Sequence, residues 1–234
     1  MKRFLPSLAA FGGATIVCVA LAVVRSSHAG RPAFSNLVWN LFLAWIPFAC
    51  ALLADRLAAG RGPQRWLFWP AALGWLLFFP NAPYILTDLI HLTFFRNLAP
   101  QWIWFDLLSN LLFALTGLLL GFASLAVMQG LVRERAGRWA GWAFAAAASL
   151  LAGFGVYLGR FLRWNSWDVV RAPQQLAADV SQRLGNPVEF RYTFGFSLLC
   201  AVVLFATYLM CCGLETLPRP ADPPEPGKAP PAEG

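Results

Sequence analysis

Charged residues are scarce in this sequence: Asp, Glu, Lys and Arg make up 12% of its 234 residues, whereas 59% are hydrophobic. A soluble domain carries about 25% charged residues, so this composition excludes an ordinary water-soluble surface. Apolar runs of about 20 residues, the length of a helix that crosses a bilayer, recur along the chain. The sequence therefore predicts a polytopic membrane protein.

Cysteine patterns typical of metal or disulfide chemistry are also missing. The five cysteines lie in or at the ends of apolar runs, with no Cys-x-x-Cys motif and no histidine close by. They are Cys18, Cys50, Cys200, Cys211 and Cys212. This pattern supports neither a zinc site nor a disulfide framework, and we interpret these residues as small packing residues.

A concentrated basic segment for nucleic acid is lacking too, although the net charge is +7. The arginines are scattered evenly, as expected when Lys and Arg set the topology of a membrane protein and face lipid headgroups. We therefore expect these basic residues to interact with the lipid bilayer and not with a nucleic acid.

The apolar runs lack period-2 alternation, so they predict membrane helices rather than barrel strands. The six predicted helices cover about residues 4–24, 37–54, 66–79, 103–128, 139–158 and 194–214. We expect an all-α transmembrane bundle in one domain, residues 1–217, with interfacial helices on its outer side. The Pro-rich segment 218–234 has little apolar content and predicts a disordered cytoplasmic tail.

The first apolar segment has two interpretations. Lys2 and Arg3, an apolar stretch and then Ser27-His28-Ala29 before Gly30 resemble a signal peptide with its cleavage site. The apolar core of about 20 residues is longer than the roughly 7–15 of a signal peptide, which favours a retained membrane anchor. Cleavage would leave five helices with unchanged sidedness.

Sidedness is predicted from the basic residues, which lie on both sides of the membrane. The clusters Arg56–Arg65 and Arg133–Arg138 are short and dense, whereas the last loop on the other side is long and carries acidic residues as well. Since short loops have the most weight in the positive-inside rule, we place both termini in the cytoplasm.

Polar residues concentrate at the predicted outer ends of the helices, while the helix centres are nearly bare of ionisable groups. They are Asn36, Asn40, Asn81, Asp88, His91, Asp106, Ser109, Asn110, Arg160, Arg163, Asn165 and Asp168. The bare centres argue against an ion pump, and no internal repeat typical of transporters is present. The clustering indicates a polar crater open to the outer surface, or else helix ends that simply face headgroups.

The stretch FFPNAPYILTDLIHL contains one candidate site. Asn81 can cap a new helix that tolerates Pro83 in its first turn. Tyr84, Asp88 and His91 would then share a helix face. An Asp beside a His can perform acid–base chemistry or supply two metal ligands, with Asp106 as a possible third. The alternative is interfacial anchoring.

The stretch GVYLGRFLRWNSWD contains the second candidate site. Arg160 and Arg163 are predicted to share a helix face, where two guanidinium groups can bind a phosphate or another anion. They can equally extend to lipid headgroups without specificity. Asn165 and Asp168 have the spacing of a capping box, which would make them structural. Beyond them, residues 173–185 predict an interfacial helix, or a lid over the crater.

Together, PNAPYILTDLIHL and YLGRFLRWNSWD resemble the signature segments of a bacterial integral-membrane family, domain of unknown function 1361. The resemblance extends from about the second helix to the sixth. It implies a multi-spanning protein of the bacterial inner membrane and supplies no activity, cofactor or catalytic residue.

The first functional hypothesis is an outward-facing polar site that binds or processes an anionic lipid or envelope intermediate. Asp88 and His91 would be its acid–base or metal pair, and Arg160 and Arg163 its anion-binding pair. The supporting residues would be Asn81, Tyr84, Asp106, Asn165 and Asp168. The second hypothesis is a non-enzymatic partner or assembly subunit, based on small residues around Gly141–Gly155 that favour helix packing. A transporter is the third. Whether the protein is an enzyme, and with which cofactor or metal, stays open.

Overall fold

The computed structural model describes residues 4–30, 32–60, 62–94 and 100–215, without the side chains of residues 91–94, 100–101, 184 and 215. The predicted disordered tail at 218–234 lies outside these residues.

The described residues are almost entirely helical and contain no strand. The α-helices are α1 (Leu5–Ala29), α2 (Ser35–Ala59), α3 (Phe68–Phe78), α4 (Asn81–Tyr84), α5 (Pro100–Ala136), α6 (Arg138–Phe161), α7 (Asp168–Arg171), α8 (Pro173–Gly185) and α9 (Pro187–Glu215). Two 3₁₀ helices, Pro63–Leu67 and Ile85–Phe94, flank α3 and α4.

Six stretches in the described part of the chain are long and apolar enough to cross a membrane. They are Leu5–Ala29, Ser35–Ala59, Pro63–Ile90, Trp102–Ala136, Arg138–Phe161 and Pro187–Leu214. These six stretches confirm the predicted fold class, an all-α helical bundle of a multi-pass membrane protein.

Several helices differ from the segments predicted from apolar runs. Helix α5 continues past its last apolar stretch to Ala136, with Arg133 and Arg135 in its final turn, where cations suit the helix dipole. Helix α2 continues without interruption through Pro47, which is buried inside the bundle. Neighbouring helices make such a proline tolerable within a membrane helix.

Two buried apolar clusters hold the helices together. One is built around Trp75, whose ring stacks on Phe79 and whose indole N–H donates to the Ser124 hydroxyl at 3.1 Å. The other is built around Phe48 and Phe113, which are 1% and 0% exposed. Helix α5 contributes to both clusters and packs against α1, α2 and α6, while α9 packs on α6.

The segment after α3 does not form the Asn81-capped α-helix that the sequence predicts. Helix α4 is a single turn, and the Asn81 amide donates back to the Phe78 carbonyl at 3.0 Å instead of capping. The chain then continues as the 3₁₀ helix Ile85–Phe94. Since a 3₁₀ helix repeats every three residues, Ile85, Asp88 and His91 share one row, and Tyr84 does not belong to it.

Two glycine pairs explain how the turn at Pro80–Ile85 enters the bundle. On α6, a Cβ at Gly155 would lie 2.5 Å from Pro80 Cγ. On α5, a Cβ at Gly117 would lie 2.6 Å from Ile85 Cδ1, and Gly121 and Gly159 make similar close contacts. Both pairs have Gly-x-x-x-Gly spacing, which lets backbones approach closely. The turn is therefore enclosed by α5 on one side and α6 on the other.

The bundle has two chemically different ends. We call the end that carries Asn40, Asp88, Asp106 and Arg160 the polar end, and the opposite end, with Arg65, Arg133, Arg135 and Arg138, the basic end. At the polar end, Arg25 near the C-terminus of α1 contacts Asp106 of α5. Asp88 of the second 3₁₀ helix contacts both Asn40 of α2 and Arg160 of α6.

Candidate functional site

Arg160 joins three separate segments at the polar end. Its Nη1 lies 3.1 Å from Asp88 Oδ1 in an ion pair, and its Nη2 donates to the Thr87 carbonyl. Its guanidinium carbon lies 5.5 Å from the centre of the Tyr84 ring, a cation–π contact. The last turn of α6 is thereby fixed to α4 and to the 3₁₀ helix that follows.

Asp88 accepts bonds on both carboxylate oxygens. Asn40 of α2 donates to Oδ2 at 2.8 Å while Arg160 occupies Oδ1. Asp88 is 8% exposed, and a carboxylate buried to this degree requires a partner of opposite charge and hydrogen bonds. Asp88 and Arg160, which the sequence only placed at the same end of the bundle, are thus in direct contact, with Asn40 as a third member.

A cavity of about 690 Å³ adjoins this cluster. It lies between α2, α3, α4 and α6, and its lining divides into two kinds of residues. The apolar part includes Leu43, Leu76, Leu77, Leu151, Phe154 and Leu158. The polar part includes Asn40, Asn81, Tyr84, Arg160, Arg163, Asn165 and Ser166. The cavity is therefore amphipathic, with both predicted arginines on its wall.

Arg163 does not share a helix face with Arg160, in contrast to the sequence prediction. Helix α6 ends at Phe161, and Arg163 follows in the left-handed region with φ 59°. This conformation costs a non-glycine residue about 1 kcal/mol or more. The Arg163 side chain is exposed and forms no ion pair or hydrogen bond with the residues that the structure describes.

The segment that follows Arg163 is held by local and long-range bonds. Asp168 Oδ2 accepts from the Asn165 backbone N–H at 2.8 Å, the contact expected of a capping-box turn. Asn81 donates to the Ser166 hydroxyl at 2.8 Å across the cavity wall. Asn165 and Asp168 therefore shape the loop, and Asn81 attaches that loop to α4.

Helix α8 borders the cavity rather than standing apart from it. Leu176 contributes to the wall, and the Trp164 indole N–H donates to Asp179 Oδ2 at 3.0 Å. Because this bond ties α8 to the loop that carries Arg163, the helix and the loop form one border of the cavity.

Asp106 does not line the cavity. Its two oxygens lie 2.6 and 3.1 Å from Nε and Nη2 of Arg25, and Asp106 is 1% exposed. The Arg25 guanidinium also lies 4.8 Å from the Trp102 ring centre. Asp106 thus holds α1 to α5 through Arg25. The sequence had suggested it instead as a possible third metal ligand.

The His91 side chain lies outside the described residues, so its distance to Asp88 is not part of the structure. Among the side chains that the structure describes, no three His, Cys, Asp or Glu residues come together in the way a metal ion requires.

Sequence reasoning missed three contributors to the polar end. Arg25 was interpreted as a topology signal, and Ser166 was not singled out. Of the glycines that enclose the turn at Pro80–Ile85, only Gly155 was assigned to helix packing, although the Gly-x-x-x-Gly spacing at 117–121 and 155–159 was a readable signal. No local pattern distinguishes Arg25 from other arginines, because its partner is 81 positions away.

The sequence also matches a known protein family. The family described as "Protein of unknown function (DUF1361)" matches residues 39–207. The chain belongs to this family. The match confirms the resemblance drawn from the two signature segments. Comparisons with curated proteins and with solved structures give no match.

The DUF1361 match includes some parts of the polar end and leaves out others. Asn40, Asp88, Arg160 and Arg163 lie within residues 39–207, as does the whole lining of the cavity. Arg25, the partner of Asp106, lies before the match begins. The cavity is thus a feature of the family-matched region, and α1 supports that region from outside.

Proposed function

We propose that the protein binds an anionic amphiphile, an anionic lipid or a phosphorylated envelope intermediate, in the cavity at its polar end. We further propose that this end faces outward from a bacterial inner membrane, with both termini in the cytoplasm. The observation that carries the proposal is the amphipathic cavity with the unpaired Arg163 on its polar wall.

The size and lining of the cavity suit such a ligand. Its volume of about 690 Å³ lies within the range of roughly 300–1,000 Å³ common for small-molecule sites. The leucines of α3 and α6 offer an apolar surface to a hydrocarbon chain. The second N–H of the Asn40 amide and the Ser166 hydroxyl offer hydrogen bonds to a headgroup.

The charge balance favours an anion. Asp88 neutralises Arg160, so Arg163 contributes an uncompensated positive charge among the described residues of the cavity wall. A guanidinium group matches phosphate oxygens through paired hydrogen bonds. Arg163 also occupies a strained left-handed conformation, which is a frequent property of ligand-binding positions.

The contacts of Asp88 support binding more than catalysis. A general base needs a free oxygen within reach of the proton it removes, whereas Arg160 and Asn40 occupy both oxygens of Asp88. We therefore propose Asp88 as the residue that positions Arg160. An acid–base or metal role for His91 stays a separate hypothesis.

Titration calorimetry on the detergent-purified protein tests the proposal. Short-chain phosphatidylglycerol and farnesyl phosphate should bind, and short-chain phosphatidylcholine should not. Removal of a charge-assisted hydrogen bond should weaken the binding of farnesyl phosphate, and of phosphatidylglycerol in the polar-end cavity, about ten- to a hundredfold in Arg163→Gln. The anion whose binding Arg163→Gln weakens is the kind of amphiphile that the polar-end cavity takes.

Arg171→Gln is the matched control, since Arg171 is an exposed arginine of α7 outside the cavity lining. It should bind both anions like the unmodified protein. Equal losses in Arg163→Gln and Arg171→Gln, or equal binding of phosphatidylcholine, would overturn the proposal.

The alternative of an assembly subunit rested on the small residues of α6. Gly141, Ala145, Ala148 and Gly153 pack inside the chain, whereas Ala143, Ala146 and Ala147 are exposed. A Cβ at Gly153 would collide with the Ser197 carbonyl of α9, and one at Gly141 would lie 3.2 Å from Arg133 Cβ of α5. These contacts occupy the glycines of that surface within the chain, and only its exposed alanines are left for a partner.

A further inference from the structure

A second cavity, of about 730 Å³, lies at the basic end. It is formed where the 3₁₀ helix Pro63–Leu67 and α3 meet the C-terminal part of α5 and the start of α6. None of the residues that line the polar-end cavity contributes to it. The two cavities are therefore separate, and nothing in the proposed function uses the second.

Two arginines stand on the wall of this cavity, Arg65 and Arg135, and no Asp or Glu is among the described residues that line it. The Arg135 guanidinium carbon lies 5.3 Å from the centre of the Phe68 ring. Its Nη1 donates to the Leu131 carbonyl at 3.2 Å. These contacts orient Arg135 and leave its other N–H groups available to an anion.

The rest of the cavity has the character of a lipid-facing surface. Trp66 and Trp69 are 66% and 73% exposed, and exposed tryptophans at a helix end typically lie at the headgroup level of a bilayer. Met128, Leu131 and Phe144 supply an apolar wall. The positive charges, the interfacial rings and the apolar wall thus follow one another from headgroup to acyl chain.

We infer that the basic-end cavity binds a phospholipid with an anionic headgroup from the leaflet at that end. The charge complementarity decides the occupant: two guanidinium groups with no opposing carboxylate attract a phosphate diester, and a basic pocket between membrane helices is a known form of anionic-lipid site. The apolar wall then holds the acyl chains, which a free phosphate lacks.

Native mass spectrometry of the delipidated protein in detergent tests the inference. Titration with phosphatidylglycerol should give a saturable bound lipid, and phosphatidylcholine should not. Measured in the Arg163→Gln background, so that the polar-end cavity does not contribute, Arg65→Gln/Arg135→Gln should weaken the binding of phosphatidylglycerol about thirtyfold, the effect of two interfacial arginines. Arg65→Lys/Arg135→Lys should recover much of it, because the charges stay.

Arg133→Gln/Arg138→Gln is the matched control, with the same change in charge at the same end but outside the cavity lining. It should bind phosphatidylglycerol within about threefold of the unmodified protein, since surface charges act weakly at a distance. Equal losses in the two Gln pairs would show that the attraction is diffuse and would overturn the inference, as would equal binding of phosphatidylcholine.

The titration is repeated on Arg163→Gln to separate the two ends. In that variant the basic-end lipid should remain bound even when the polar-end ligand is lost. Loss of all bound phosphatidylglycerol in Arg163→Gln would place the lipid at the polar end and overturn the inference.

Discussion

The arginines at the two ends of the bundle differ in what surrounds them. At the polar end, Arg25 and Arg160 are bound to the buried carboxylates of Asp106 and Asp88. At the basic end, Arg65 and Arg135 are exposed and share their cavity with no described carboxylate.

The difference teaches that an arginine serves architecture where a buried carboxylate neutralises it and can serve a ligand where no carboxylate does. A buried carboxylate without a counter-ion is strongly destabilising, so Asp88 and Asp106 hold their arginines in place. An arginine held in this way has little charge left for a ligand. Arg163, Arg65 and Arg135 lack such a partner among the described residues, and these are the positions at which we propose anion binding.

Removal of a buried carboxylate should have the largest effect. Asp106→Ala leaves the partly buried Arg25 without its partner and should lower the free energy of unfolding by about 3–5 kcal/mol. At the basic end, the exposed Arg65→Ala should change it by no more than about 0.5 kcal/mol. Reversible unfolding in mixed detergent micelles measures both.

A double variant tests whether the unpaired buried charge causes this loss of stability. Arg25→Met/Asp106→Leu removes both charges and should recover most of the loss, because an apolar pair of similar volume avoids the cost of an unpaired buried charge. If Asp106→Ala proves as harmless as Arg65→Ala, the buried pair does not hold α1 to α5.

Matched glycine substitutions should give intermediate effects of opposite sign. Gly155→Ala forces a Cβ to within 2.5 Å of Pro80 Cγ and should destabilise the protein by about 1–3 kcal/mol, as overpacking does. Gly130→Ala meets nothing within 4 Å and should stabilise α5 by up to about 1 kcal/mol through helix propensity. Thermal unfolding in detergent compares them, and equal signs would contradict the close packing of the turn at Pro80–Ile85 on α6.

Arg163→Gly should raise the stability slightly and weaken ligand binding. Glycine adopts a positive φ without strain, so the free energy of unfolding should rise by about 1 kcal/mol. The binding of farnesyl phosphate should fall as in Arg163→Gln. If stability drops instead, the side chain of Arg163 has a structural role that its exposure does not show.

The sequence predicted the candidate site unevenly. Asp88, Arg160 and Arg163 were singled out by their depth and residue type, and the structure brings all three to the polar end. The prediction that Tyr84, Asp88 and His91 share one face of an α-helix was wrong. The turn at Pro80 leads into a 3₁₀ helix, and the turn is enclosed by two other helices. Close packing with distant segments, rather than local propensity, determines this choice.

By itself, the sequence determined the class of the protein and its six membrane helices. These follow from composition and from apolar runs, since a bilayer forces the backbone of any long apolar segment to satisfy its hydrogen bonds within the segment. Only the tertiary structure decided which charges meet. Arg25 and Asp106 are 81 positions apart, and Asp88 and Arg160 are 72 apart. Their pairing depends on how the helices pack, because no local repeat places one partner relative to the other.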